Sequence, residues 1–159
     1  MLLHHTEGAD MTHHDDLTPQ GARLSHSEGT NILIVDDEDY MRHLLREVLE
    51  DEGFTVTLAE SGEQALAMLE GALVNAIFTD VEMPGINGWE LARAVRARRQ
   101  DIAIAVLTGW SDLSNAPASP EPLADWVVTK PFAIEELIRI AREVAHRQSQ
   151  HPRDYHAAA

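Results

Sequence analysis

The sequence predicts an α/β fold, a doubly wound parallel sheet of five strands with helices on both faces. Three observations predict it. Short runs of apolar and β-branched residues alternate with amphipathic stretches of helical period along most of the chain. The clearest run, Ile32-Leu33-Ile34-Val35, lacks the alternation of a half-exposed strand and suits one covered on both faces. Connections between elements are short, and strand–helix–strand order with short loops builds parallel sheets.

The first strand, β1, spans about 31–36 and runs into Asp36 and Asp37. Residues 38–52 place Met41, Leu44, Leu45, Val48 and Leu49 on one stripe, which predicts a helix, α1, stopped by Gly53. Residues 54–59 suit β2. Ser61 caps α2, whose stripe is Ala65, Leu66 and Leu69 and which ends near Gly71. Val74 to Thr79 reads as β3, with Asp80 just beyond it, and Met83-Pro84-Gly85 as a turn. Residues 88–99 form α3, with Leu91, Ala92 and Val95 inward and Arg96, Arg98 and Arg99 on the solvent side near its end. Residues 102–107 read as β4, followed by Thr108. Pro117, Pro120 and Pro122 interrupt the next crossover, since proline inside a helix costs about 3 kcal/mol. A helical turn or two over 111–116 and then an irregular connector are expected. Trp126 to Thr129 reads as β5, closed by Lys130-Pro131. Ile134, Leu137, Ile138, Ala141, Val144 and Ala145 pattern the last helix, α4.

The folded domain is expected over 31–147, after a disordered polar tail (1–30) and before a short tail (148–159). The length of 159 residues fits one domain. With no cysteine there is no disulfide framework, and no apolar stretch approaches a membrane span. The opening residues lack the basic and apolar regions of a signal peptide, so a cytoplasmic location is expected. A formal net charge of -15 argues against nucleic acid as a partner and favours cations or basic protein surfaces. The paired histidines of the tail (His4, His5, His13, His14) carry no preformed metal geometry.

Four strand ends carry the chemistry: Asp36 and Asp37 after β1, Asp80 after β3, Thr108 after β4 and Lys130 after β5. In a doubly wound sheet these ends share one rim, around the crevice where strand order reverses. Carboxylates brought together repel one another, and a hard cation relieves this; Mg²⁺ suits an all-oxygen site. Thr108 and Lys130 can give a hydrogen bond and a positive charge to a phosphoryl group. An aspartate can serve as nucleophile and form an acyl phosphate. Of twelve basic residues Lys130 is the only lysine, a compact ammonium where arginine would not fit the same geometry.

The motifs ILIVDDE (32–38), TDVEMPGINGWEL (79–91), VLTG (106–109) and VTKPF (128–132), in this order and at strand ends, make the chain resemble the receiver domain of two-component response regulators. The resemblance covers about residues 31–147. It implies a flavodoxin-like five-stranded sheet of order 2-1-3-4-5. It implies Asp80 as phospho-acceptor, and Mg²⁺ held by Asp36, Asp37, Asp80 and the backbone carbonyl of Glu82. Thr108 would be the switch hydroxyl and Lys130 the phosphoryl-pairing lysine. Pro131 would follow a cis bond, and Gly109 would leave room for the phosphoryl group. The donor would be a phosphohistidine on a histidine kinase or histidine phosphotransfer protein. The domain would catalyse its own Mg²⁺-dependent phosphorylation and dephosphorylation.

Three departures from the family pattern carry expectations of their own. Val127 stands where the family commonly has an aromatic switch residue, so the usual aromatic readout is lost, and Trp126 beside it reads as core or edge packing. The proline-rich crossover is expected to be mobile or remodelled, shifting partner choice towards α1 or α4. Glu82 and Trp110 flank the site, where a carboxylate and an indole would slow loss of the phosphoryl group. Only about a dozen residues follow α4, so a single-domain regulator acting by protein contact is expected. The alternatives are a phosphorylation-independent interaction module and an aspartyl phosphohydrolase. The complete acid–threonine–lysine set disfavours the first, and the lack of a segment long enough for a substrate cap disfavours the second.

Overall fold

The computed structural model describes residues 29–109, 117–118 and 123–151. The strands are β1 Asn31–Val35, β2 Thr55–Ala59, β3 Ala76–Asp80, β4 Ala103–Thr108 and β5 Trp126–Thr129. They form one parallel sheet of order 2-1-3-4-5. Among the described residues four helices cover it: α1 Asp39–Asp51, α2 Gly62–Leu69, α3 Gly88–Arg98 and α4 Ile134–Gln150.

Alternate side chains of each central strand enter opposite cores. Leu33, Val35, Ile77, Ile104 and Val106 pack with residues of α2 and α3, including Ala65, Leu91, Ala92 and Val95. Ile32, Ile34, Phe78, Ala105 and Leu107 pack with Leu45 and Leu49 of α1 and Leu137, Ile140 and Val144 of α4. Two buried faces account for the unbroken apolar runs: no position on β1, β3 or β4 between the strand ends is solvated.

The helix ends follow local chemistry. Ser61 Oγ accepts from Gln64 N at 3.1 Å and caps α2. Gly53, at φ 90°, takes the chain out of α1. Asn87 and Glu90 form a reciprocal capping box on α3, a pairing present in the sequence but not singled out there. Thr30, placed with the tail on sequence grounds, is buried, and its carbonyl accepts from Thr55 N at 3.0 Å. Residues 1–28 of the N-terminal tail, the turn expected over 111–116, Trp110, Pro120 and Pro122 lie outside the described residues.

One expectation is corrected. Arg96 does not point to solvent with Arg98. Its guanidinium donates to Ile102 O at 2.6 Å and to the Asp125 carboxylate, which also accepts from Ile104 N at 2.8 Å. The free carbonyls past the end of α3 and the acid preceding β5 attract it inward, so it ties α3 to the start of β4 and the end of the crossover. Trp126 is half-buried against the α1–α4 core, with the Arg147 guanidinium 4.7 Å from its ring centroid. Val127 is exposed.

Candidate metal and phosphoryl site

Val35 pairs with Thr79, so the chain leaving β1 and the end of β3 stand side by side at the carboxyl rim. Asp36, Asp37 and Asp80 meet there, each offering a carboxylate oxygen within 4.8 Å of the others. Asp80 and Thr108 are the last residues of their strands rather than the first beyond them. Val81 N donates to Leu107 O at 3.0 Å, and Lys130 N to Thr108 O at 2.7 Å, which extends the ladder to the rim.

Lys130 Nζ donates to Asp80 Oδ1 at 2.7 Å, and Asp80 is nearly fully buried while the lysine is half-exposed. The bond preceding Pro131 is cis. Asp36 is buried, and its Oδ1 accepts from Glu38 N at 2.8 Å while its Oδ2 has no hydrogen-bond partner. Thr108 is fully buried, and its hydroxyl donates to Gly109 O at 3.2 Å. The structure thus brings the three acids and Lys130 together, and the Thr108 hydroxyl is engaged with backbone next to them.

Burial dominates the electrostatics. It pushes the Asp36 carboxyl up to about 6, helped by Asp80 and Asp37 and opposed by the Glu38 amide and Lys130. Burial also raises Asp80, against the hydrogen bond and charge of Lys130. Desolvation pulls Lys130 down, but the Asp80, Asp36 and Glu38 carboxylates outweigh it and the ammonium is held above its ordinary value. One ammonium among three carboxylates leaves excess negative charge. A buried, unpartnered carboxylate oxygen facing two further acids fits a hard divalent cation with oxygen ligands, and Mg²⁺ is such an ion.

Two features of the site went unnoticed in the sequence. Arg42 is buried on the inner stripe of α1 with Leu45 and Leu49. It donates to the Asp36 backbone carbonyl at 2.7 Å and to Asp39 at 2.8 Å, so it anchors the end of β1. A charged residue on an apolar helical stripe, six positions after the first acid, is a signal that the spacing alone contains. The second is Gly88. A Cβ there would overlap the Asp80 carbonyl oxygen and stand 3.0 Å from both the Asp80 carbonyl carbon and Val81 Cα. The amino end of α3 lies directly under the β3 terminus because this residue has no side chain.

A sheet of order 2-1-3-4-5 with an acid cluster and a lysine on its carboxyl rim defines a class of doubly wound signalling domains. Comparison with known proteins agrees. Residues 32–142 match the family model of the response regulator receiver domain, and the chain belongs to that family. Response regulator MprA of Mycobacterium ulcerans (strain Agy99) is 39% identical over 116 residues, 73% of this chain and 50% of that protein. The chain therefore spans about half the length of the MprA relatives it matches, and the expectation of a regulator without an output module finds no support in its length. Among solved structures, response regulator protein TrrA of Thermotoga maritima, in complex with Mg(2+)-BeF, superposes with a TM-score of 0.65 at 36% identity, covering 72% of this chain and 98% of that one. Chemotaxis response regulator CheY4 of Vibrio cholerae gives 0.60 at 30%, with 72% and 98% covered. Among the described residues no helix is long and apolar enough to cross a membrane.

Proposed function

We propose that this chain accepts a phosphoryl group on Asp80 from the phosphohistidine of a histidine kinase or histidine phosphotransfer protein, and signals the change by protein contact. The observation that carries this reading is the buried Asp80 carboxylate, bonded to Lys130 at 2.7 Å inside a cluster of three acids. An Asp80 oxygen attacks phosphorus, an O–P bond forms, the N–P bond breaks, and the imidazole leaves with the electron pair. Lys130 neutralises charge on Asp80 in the resting site and on the phosphoryl oxygens afterwards. Thr108 exchanges its weak bond to Gly109 O for one to a phosphoryl oxygen, and Gly109 leaves room for that group. Asp36, Asp37, Asp80 and the Glu82 backbone carbonyl would hold Mg²⁺, which supplies the positive charge that lets an anionic donor approach. Pulling Thr108 and Lys130 towards the new dianion reshapes the β4 and β5 ends, a local charge change read on an outer surface.

Incubation with Mg²⁺ and a small phosphodonor, followed by intact mass, is expected to give one phosphate adduct. Asp80→Asn is expected to abolish it, and an adduct of equal yield in that variant overturns the assignment. Proton competition gives a second expectation. The cation needs Asp36 ionised, and burial pushes its carboxyl up to about 6. Apparent Mg²⁺ affinity should be flat above about pH 7 and fall as pH drops through 6, by up to about tenfold per unit. Calorimetric titration from pH 8 to pH 5 checks this.

A further inference from the structure

The loop between β3 and α3 is fixed by three consecutive backbone amides. Ile86 N donates to Glu63 Oε1 at 3.0 Å, Asn87 N to Glu90 Oε2 at 2.9 Å, and Gly88 N to Val81 O at 3.1 Å. Glu90 and Val81 belong to the β3–α3 unit itself. Glu63 alone comes from elsewhere, the first turn of α2, 23 positions away. Around it the packing is tight. A Cβ on Gly62 would stand 2.9 Å from Ile86 Cβ and from Ile86 O, and one on Gly85 (φ 75°) would overlap the Glu63 carboxylate. Two glycines thus let the amino end of α2 seat against residues 85–86. An acid in the first turn of a helix usually serves that helix's own free amides. Here the carboxylate, on an exposed side chain, accepts from the neighbouring loop instead.

We propose that Glu63 is a positioning residue for the cation and phosphoryl site: by bonding the Ile86 amide it holds the 81–87 loop, and with it the Glu82 carbonyl, in the geometry that completes the site. The inference rests on the reading above of Glu82 as a metal contact. It makes α2 a remote control of the rim, because any displacement of α2 that draws Glu63 away slackens the loop.

The test is Mg²⁺ titration by calorimetry on the full chain, with amide exchange at Ile86 measured alongside. Wild type must bind first; absence of binding there overturns the site reading itself. With binding established, Glu63→Ala is expected to weaken Mg²⁺ about fivefold, the scale of one ordinary hydrogen bond at an exposed position, and to speed exchange at Ile86. Glu63→Gln keeps an acceptor oxygen and should restore both to within about twofold. Because the side chain is exposed, thermal unfolding of both variants should match wild type closely. Unchanged Mg²⁺ affinity in Glu63→Ala overturns the proposal while leaving the site reading intact. Equal loss in Ala and Gln variants overturns the hydrogen-bonded latch.

Discussion

Asp36→Asn is expected to make the metal-free protein more stable while ending its response to Mg²⁺. The folded carboxyl titrates near 6 against an ordinary 3.8. A raised value means that this group's contribution to stability is fully present below about pH 3.8 and is lost as pH rises through 6. At pH 8 the wild type therefore carries a penalty of about 3 kcal/mol that asparagine lacks. Asparagine can keep an oxygen for the Glu38 amide and turns an unpartnered acceptor into a donor beside two acids. Denaturant unfolding in chelator at pH 8 should place the variant about 3 kcal/mol above wild type, and the gap should close towards pH 4. Saturating Mg²⁺ should reverse the order, since a ligand stabilises only the fold that binds it. Equal stability of the two proteins at pH 8 without metal would mean that the acid rim holds no strain.

Gly88→Ala is expected to act in the opposite sense, lowering stability by about 2–3 kcal/mol with or without metal. Most glycine-to-alanine changes in a helix are favourable by up to about 1 kcal/mol, because glycine is the poorer helix former. Here the added methyl meets the backbone of Asp80 and Val81, not the far end of a flexible side chain, so either α3 or the β3 terminus must move. The end that moves carries Asp80, so the variant should also accept phosphate more slowly from a small donor. Denaturant midpoints and the rate of adduct formation check both halves; a neutral or stabilising outcome would show that α3 can lift away without disturbing the rim.

Much of this was legible in the sequence because the physics that writes it is local. Strands buried on both faces need unbroken apolar runs, and β1, β3 and β4 carry them. Carboxylates at the ends of such runs announce a rim of charge, and a lone lysine after β5 announces its counter-ion. Ser61 and Gly53 mark helix ends through single-residue chemistry. What stayed hidden depends on contacts between segments distant along the chain. Glu63 reads as an ordinary first-turn acid until the Ile86 amide is seen beside it. Arg96 reads as a solvated helix-end cation until Asp125, 29 positions on, is placed against it. Gly88 reads as the start of a helix, and only the packing of that helix beneath Asp80 gives the missing side chain its purpose. Arg42 lies between these cases, since its position on the α1 stripe was visible but its partner, a backbone carbonyl, was not.

The central claim is that one carboxylate, that of Asp80, becomes the acyl phosphate. Borohydride trapping after exposure to Mg²⁺ and a small phosphodonor, with peptide mapping, tests it most directly, because hydride reduces an acyl phosphate to the alcohol and marks the residue that held it. Homoserine is expected in place of aspartate at position 80 and nowhere else, dependent on the cation. Labelling of Asp36 or Asp37 in its place, or no labelling while phosphate resides on a histidine, would contradict it.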